Sequence, residues 1–99
     1  MKKLFISQPM RGKTEDEIME VRSNAIQSAK DAIGEAVEVI ESYFREAPAE
    51  NKPLWCLGKS IELLANADIA YFAEGWENAR GCKIEHECAI EYGVHTIEC

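Results

Sequence analysis

The sequence predicts an α/β domain: a doubly wound parallel sheet of about four strands with helices on both faces. Three observations carry that expectation. Short apolar or β-branched runs alternate with amphipathic helical stretches along all 99 residues, and such alternation calls for crossover connections and hence parallel strands. One run, Ile69 to Ala73 (IAYFA), is apolar along its whole length, as a strand covered on both faces has to be. The helical stretches also carry start and stop residues: Thr14 with Glu17 as a capping box, Gly34 as a stop, and Pro53 as a first-turn residue.

In chain order, Lys3 to Ser7 (KLFIS) forms a buried first strand that leaves through Gln8-Pro9-Met10-Arg11-Gly12. A helix runs from Thr14 to Gly34 with Ile18, Val21, Ala25, Ala29, Ala32 and Ile33 at helical spacing. Ala36 to Ile40 (AVEVI) is the second strand, followed by Glu41, Ser42 and Tyr43 at its carboxyl end. Phe44 to Lys52 is a loop. A second helix starts at Pro53 with Leu54, Leu57, Ile61, Leu64 and Ala65 as its apolar face, and Asn66-Ala67-Asp68 ends it. After the third strand, Asn78 is the expected N-cap of a helix from Arg80 to Tyr92, and Val94 to Glu98 (VHTIE) is the last strand. No repeat or linker divides residues 1–99, so a single domain of flavodoxin- or Rossmann-like architecture is expected.

Composition narrows the function. With 18 acidic against 11 basic residues and a formal charge of -7, the chain lacks the basic surface that duplex nucleic acid requires. A small anion remains compatible, since backbone N–H groups and one or two Arg suffice to hold it. The apolar run behind Lys2 and Lys3 is only about four residues, short of a signal-peptide core, and no stretch approaches the roughly 18 apolar residues of a membrane helix. A cytoplasmic protein without a membrane partner is the expectation. Cys56, Cys82, Cys88 and Cys99 form no C-x-x-C pair and read as reduced thiols.

Glu85 is the leading functional candidate. At about 100° per residue, Gly81, Ile84, Cys88, Ala89 and Tyr92 share an arc of roughly 140° on the third helix, and Glu85 falls inside it. An inward carboxylate near a helix N-terminus is costly unless it is used or paired. It serves as a nucleophile or general base, or else pairs with Arg80 or Arg11. In an open parallel sheet, ligands bind beyond the carboxyl ends of the strands where strand order reverses. That rule gathers Ser7 to Gly12, the end of strand two and Glu74 to Gly81 at one rim. There the first loop either cradles a phosphate or sugar, with Arg11 as its cation, or is a plain turn. Trp55, Trp76 and Tyr43 stack on a base or simply pack. Cys82 and His86, one turn apart on the expected outer face, have metal-ligand spacing but no evident third or fourth ligand.

Three pieces, Ile6 to Gly12 (ISQPMRG), the Ala67-Asp68 step, and Gly81 to Ala89 (GCKIEHECA), give the chain a likeness to a known family. It resembles the nucleoside 2-deoxyribosyltransferase-like superfamily, most closely a branch of small bacterial and phage proteins of unknown function. The family motif is Gly-Thr-x-x-Glu-x-x-x-Ala, with the Glu as nucleophile; Gly81, Glu85 and Ala89 match it and Cys82 replaces the Thr. The resemblance implies cleavage of an N-glycosidic bond in a nucleoside or nucleoside 5′-monophosphate through a glycosyl ester on Glu85. Hydrolysis or transfer to another base completes the cycle. It also implies no metal, no redox cofactor, and a homo-oligomer of two or more subunits. Substrate contacts are expected from Ser7, Gln8, Pro9, Met10, Arg11, Gly12, Tyr43, Gly75, Trp76 and Gly81. Where family enzymes carry an acid ahead of the Gly-Thr step, this chain has Asn78, with Glu77 one residue earlier, to orient sugar or base. Ser60 stands roughly where many carry an Asp. The alternative is a nucleotide-binding sensor or accessory protein that keeps the pocket with weak chemistry.

Overall fold

The computed structural model of the chain describes residues 1–42 and 52–99; Tyr43 and most of the loop expected after it lie outside them. The elements are β1 (Lys2–Ser7), α1 (Glu15–Ile33), β2 (Val37–Val39), α2 (Lys52–Leu64), β3 (Ile69–Phe72), a 3-10 turn (Trp76–Asn78), α3 (Arg80–Glu91) and β4 (His95–Glu98). All four strands pair in parallel in the order β2-β1-β3-β4. This is the expected α/β, flavodoxin- or Rossmann-like arrangement, and among the described residues no helix is long and apolar enough to cross a membrane.

Crossover handedness explains the layers. The step from β1 to β2 moves one way across the sheet, while the steps from β2 to β3 and from β3 to β4 move the other way. Right-handed crossovers therefore put α1 on one face and both α2 and α3 on the opposite face. The core divides accordingly. Leu4, Ile6, Ile69 and Tyr71 meet Ala25 and Ala29 of α1, whereas Phe5, Ala70 and Phe72 meet Leu64 of α2 and Ala89 of α3. Alternate strand residues supply the two faces, as the two-residue strand period requires.

Local signals set the helix ends. Thr14 Oγ1 accepts the Glu17 N–H at 3.1 Å and the Glu17 carboxylate accepts the Thr14 N–H at 2.9 Å, a complete capping box. Gly34 closes α1 at φ 80°, its N–H bonding the Lys30 carbonyl at 2.7 Å. At the amino edge of the sheet, Asp68 accepts the Lys3 N–H at 2.8 Å and returns its own N–H to the Lys3 carbonyl at 2.8 Å. The Ala67-Asp68 step thus fastens β3 to β1 at the end away from the strand termini that bind ligands.

Several expected faces are rotated. Leu54 is 68% exposed, and the residues α2 buries are Ser60 and Leu64. Ala32 is exposed and Arg22 takes the inward place beside Val21. On α3, Tyr92 is 86% exposed and lies just past the helix, while the buried positions are Cys82, Glu85 and Ala89. The inward face of α3 is turned by roughly 60° from the centre of the arc that apolar residues alone define. Asn78 belongs to the 3-10 turn, and the N-cap is Ala79, whose side chain offers no hydrogen bond.

Because both halves of the capping box are formed, Thr14→Ala is expected to lower stability by about 1 kcal/mol. Urea unfolding should show an earlier midpoint with an unchanged slope.

Candidate active site at the carboxyl edge of the sheet

The strand order reverses at β1, so the chain leaving β1 and the chain leaving β3 part toward opposite faces and a crevice opens between them. The last rungs are tight: Ser7 pairs with Phe72, and the Ala73 N–H bonds the Ser7 carbonyl at 2.9 Å. Beyond them Gly75 turns the chain at φ 89°, a left-handed backbone that favours glycine. Ser42, after β2, bonds the Ile6 carbonyl at 3.2 Å and closes the third side.

The result is a cleft of about 680 Å³, in the size range of small-molecule sites. It gathers Ser7, Gln8, Pro9, Met10, Arg11, Gly75, Asn78, Gly81 and Glu85 from the predicted set. Three predicted residues do not line it. Gly12 lies past the loop that does. Trp76 packs inward onto α3 and β3, stacked on His86 with ring centroids 4.1 Å apart and tilted against Phe72 at 5.8 Å. Glu77 is exposed beside it. Tyr43 is outside the described residues.

Glu85 forms the floor. It is 7% exposed, and the Ser7 hydroxyl donates to its Oε1 at 2.6 Å. Among the described residues no ion pair joins it to Arg80 or Arg11. Burial pushes its pKa above the ordinary carboxylate value, and the hydroxyls of Ser7 and Ser60 oppose that rise. Cys82, one turn earlier, is 5% exposed and also lines the cleft. Burial, with the neighbouring Glu85 charge adding to it and the Ser7 hydroxyl opposing, pushes its thiol up to about 11, so it is neutral near pH 7. His86 faces away, its Nε2 2.9 Å from Glu98 Oε2, and the spacing of Cys82 and His86 does not translate into a shared site.

The rim is cationic in an acidic protein. Arg11, Lys13 and Arg80 line the cleft, opposed by Glu74 and the buried Glu85. The α3 N-terminus also opens there with no side-chain cap and no acid in its first turn, leaving its first N–H groups available to an anion.

Behind the first loop lies Arg22, which sequence periodicity did not single out. It is 6% exposed, donates to Gln8 Oε1 at 3.3 Å and to the Ile40 carbonyl at 3.5 Å, and lies 3.9 Å from Glu41. Gln8 in turn donates to the Ile18 carbonyl at 3.2 Å. The loop is thereby tied to α1. Burial lowers the Arg22 pKa, with Glu41 opposing. Its signal was present: Ile18, Arg22, Ala25 and Ala29 follow helical spacing, so Arg22 sits on the inward stripe.

No family model, curated protein or solved structure matches this chain. The functional reading therefore stands on the site.

The raised pKa of Glu85 carries a sign for stability. Folding then favours the protonated form, so the group's contribution is fully present below the ordinary value of 4.5 and is lost as pH rises through the higher native value. Glu85→Gln, neutral and near-isosteric, should unfold at a higher denaturant midpoint than the wild type at pH 7. The gap should close as the pH falls below the ordinary carboxylate range. An equal midpoint at both pH values would contradict the burial argument.

Proposed function

We propose that the chain cleaves the N-glycosidic bond of a (deoxy)nucleoside or nucleoside 5′-monophosphate, with Glu85 as nucleophile. The observation that carries this reading is the buried carboxylate itself, fixed by the Ser7 hydroxyl and, among the described residues, free of any ion pair, at the floor of a cation-rimmed cleft. A carboxylate that a salt bridge neutralised would be a poor nucleophile; one held by a neutral donor keeps its charge and its aim.

In the proposed cycle a Glu85 oxygen attacks the anomeric carbon, the C–N bond breaks, and its electron pair leaves with the base, which takes up a proton. Water then attacks the anomeric carbon of the ester, losing a proton and returning the carboxylate, or the nitrogen of a second base attacks in its place. Among the described residues Glu74 is the second carboxylate lining the cleft, whereas Glu77 does not line it, so Glu74 rather than Glu77 would meet the leaving base. Asn78, also in the lining, would hydrogen-bond the sugar or the base. Arg11, Lys13 and the open start of α3 suit a 5′-phosphate. This chemistry agrees with the resemblance of Gly81, Glu85 and Ala89 to the deoxyribosyltransferase-like motif. The same likeness carries the proposal of a homo-oligomer.

A second reading, a nucleotide-binding sensor, draws on the burial that raises the Glu85 pKa. A carboxyl that stays protonated in the free protein can bind without attacking.

The experiment is incubation with deoxynucleosides and their 5′-monophosphates, following free base by chromatography. Base release that falls on the order of 10³-fold or more in Glu85→Ala is the expected result. Arg11→Ala should raise KM for the monophosphate and leave that for the nucleoside nearly unchanged. Thermal stabilisation by a nucleotide, without release by the wild type, would move the protein to the sensor reading.

A further inference from the structure

The two helices that share one face of the sheet leave an apolar groove open to solvent. It holds about 510 Å³ and is lined by Pro53, Leu54 and Leu57 of α2 and by Arg80, Gly81 and Ile84 of α3. Leu54 is 68% exposed and Ile84 38%. Leu54, Gly58 and Ile61 follow one another at helical spacing and give α2 an outer stripe without a charge. Single apolar residues on a surface are ordinary, but a set that runs across two neighbouring helices marks a contact surface.

The charges beside the groove say what covers it. Arg80, Ile84, Glu87 and Glu91 recur at steps of four, three and four, so they share one stripe of α3. All four are exposed, and the stripe lies opposite the buried Cys82, Glu85 and Ala89. It is positive at its start, apolar in its middle and negative at its end. That order runs against the helix dipole, which favours acids at a helix start and bases at its end; the first turn of α3 has no acid and its last turn no base. Among the described residues Arg80, Glu87 and Glu91 take part in no ion pair. A stripe of this kind is complementary to its own reverse.

We propose that the α2 and α3 face is the contact surface of a two-fold symmetric dimer of this chain, in which the helix pairs of the two copies lie antiparallel. A two-fold contact uses the same patch on both copies, so the patch has to complement itself. With the axis near Ile84, the two Ile84 side chains meet, Arg80 of each copy faces Glu87 and Glu91 of the other, and the uncharged α2 stripes face one another. Parallel docking would instead set Arg80 against Arg80 and Glu87 against Glu87, which like charges oppose. The antiparallel arrangement also brings an acidic helix end to each uncapped start of α3. It gives a surface to the homo-oligomer reading, on which it rests, and is independent of the glycosidase reading. Arg80 and Gly81 line both the groove and the cleft, so the contact lies at the rim of the candidate site.

The test is sedimentation equilibrium of the wild type, Leu54→Asp, Arg80→Glu and the double variant Glu87→Arg/Glu91→Arg, with circular dichroism checking that each is folded. The wild type is expected at twice the chain mass. Leu54→Asp places a charge in the apolar contact and should weaken association on the order of 30-fold or more. Arg80→Glu and Glu87→Arg/Glu91→Arg should each weaken it on the order of tenfold. An equimolar mixture of those two should recover dimers of near wild-type affinity, because both cross-contacts then join opposite charges. Should Leu54→Asp fail to fold, Leu54→Gln is read by the same criterion. A monomeric wild type overturns this dimer together with the homo-oligomer reading and leaves the face to a different partner. An oligomer indifferent to Leu54→Asp and to both charge reversals overturns this surface alone. A mixture that stays monomeric overturns the antiparallel arrangement.

Discussion

With β1 hydrogen-bonded to β2 on one side and to β3 on the other, the right-handed crossover rule leaves α1 a single face and assigns the opposite one to α2 and α3. Everything at the carboxyl edge descends from that placement. The chain leaving β1 turns toward α1, the chain leaving β3 turns toward α3, and the space between them cannot be filled by a sequential neighbour. Ser7 stands at the last rung before they separate, paired with Phe72 in the sheet while its side chain reaches Glu85 on α3. A position that belongs to the sheet thereby aims a side chain that belongs to a helix. The aim is as rigid as the β1 to β3 pairing.

Two buried ionisable groups flank this point. Arg22 lies on the α1 side and Glu85 on the α3 side of the sheet, and they are handled differently. Arg22 is held by Gln8, the Ile40 carbonyl and a distant Glu41, so its charge is spent on bracing the loop and β2. Glu85 accepts the Ser7 hydroxyl and, among the described residues, pairs with no cation. Removing a partner from either group would leave a buried charge uncompensated, which is more damaging than the pairing is stabilising. A small domain has little stability in reserve, and a fold that needed only to be stable would be better served by apolar residues at both positions.

The fold was legible because its signals are local: the Thr14 and Glu17 box, the Gly34 stop and the all-apolar IAYF strand each act through neighbours a few residues away. Glu85 was legible as an acid inside a helical stripe. The orientation of α3 was not. Ile84 and Tyr92 are exposed, and a wheel weighted by hydrophobicity turns toward them, whereas the helix is oriented by Ala89 against the sheet and by the polar cleft at its start. Trp76 looked like a base platform because it lies at the rim in sequence, yet the 3-10 turn rotates its ring onto His86. Ser60 and Cys82 take their meaning from a cavity between α2 and α3, a tertiary feature that no window of residues contains. Arg22 was the avoidable miss, since its spacing from Ile18, Ala25 and Ala29 marks it as inward.

The two principal helix starts show how the same chain treats one physical problem in opposite ways. Each helix begins with backbone N–H groups that lack intrahelical partners and with the positive end of its dipole. At α1 the need is met from within: Thr14 caps, Glu17 returns the bond, and Glu15 and Asp16 add negative charge. At α3 nothing is supplied. Ala79 has no polar side chain, the first turn has no acid, and Arg80 adds positive charge at the same opening. The first turn of α2 is acid-free as well, and the α3 start opens on the cleft beside Arg11 and Lys13. A phosphate bound there would do for α3 what Thr14 and its neighbours do for α1. The binding energy would be released next to Glu85, where it could offset the loss of water around the carboxylate.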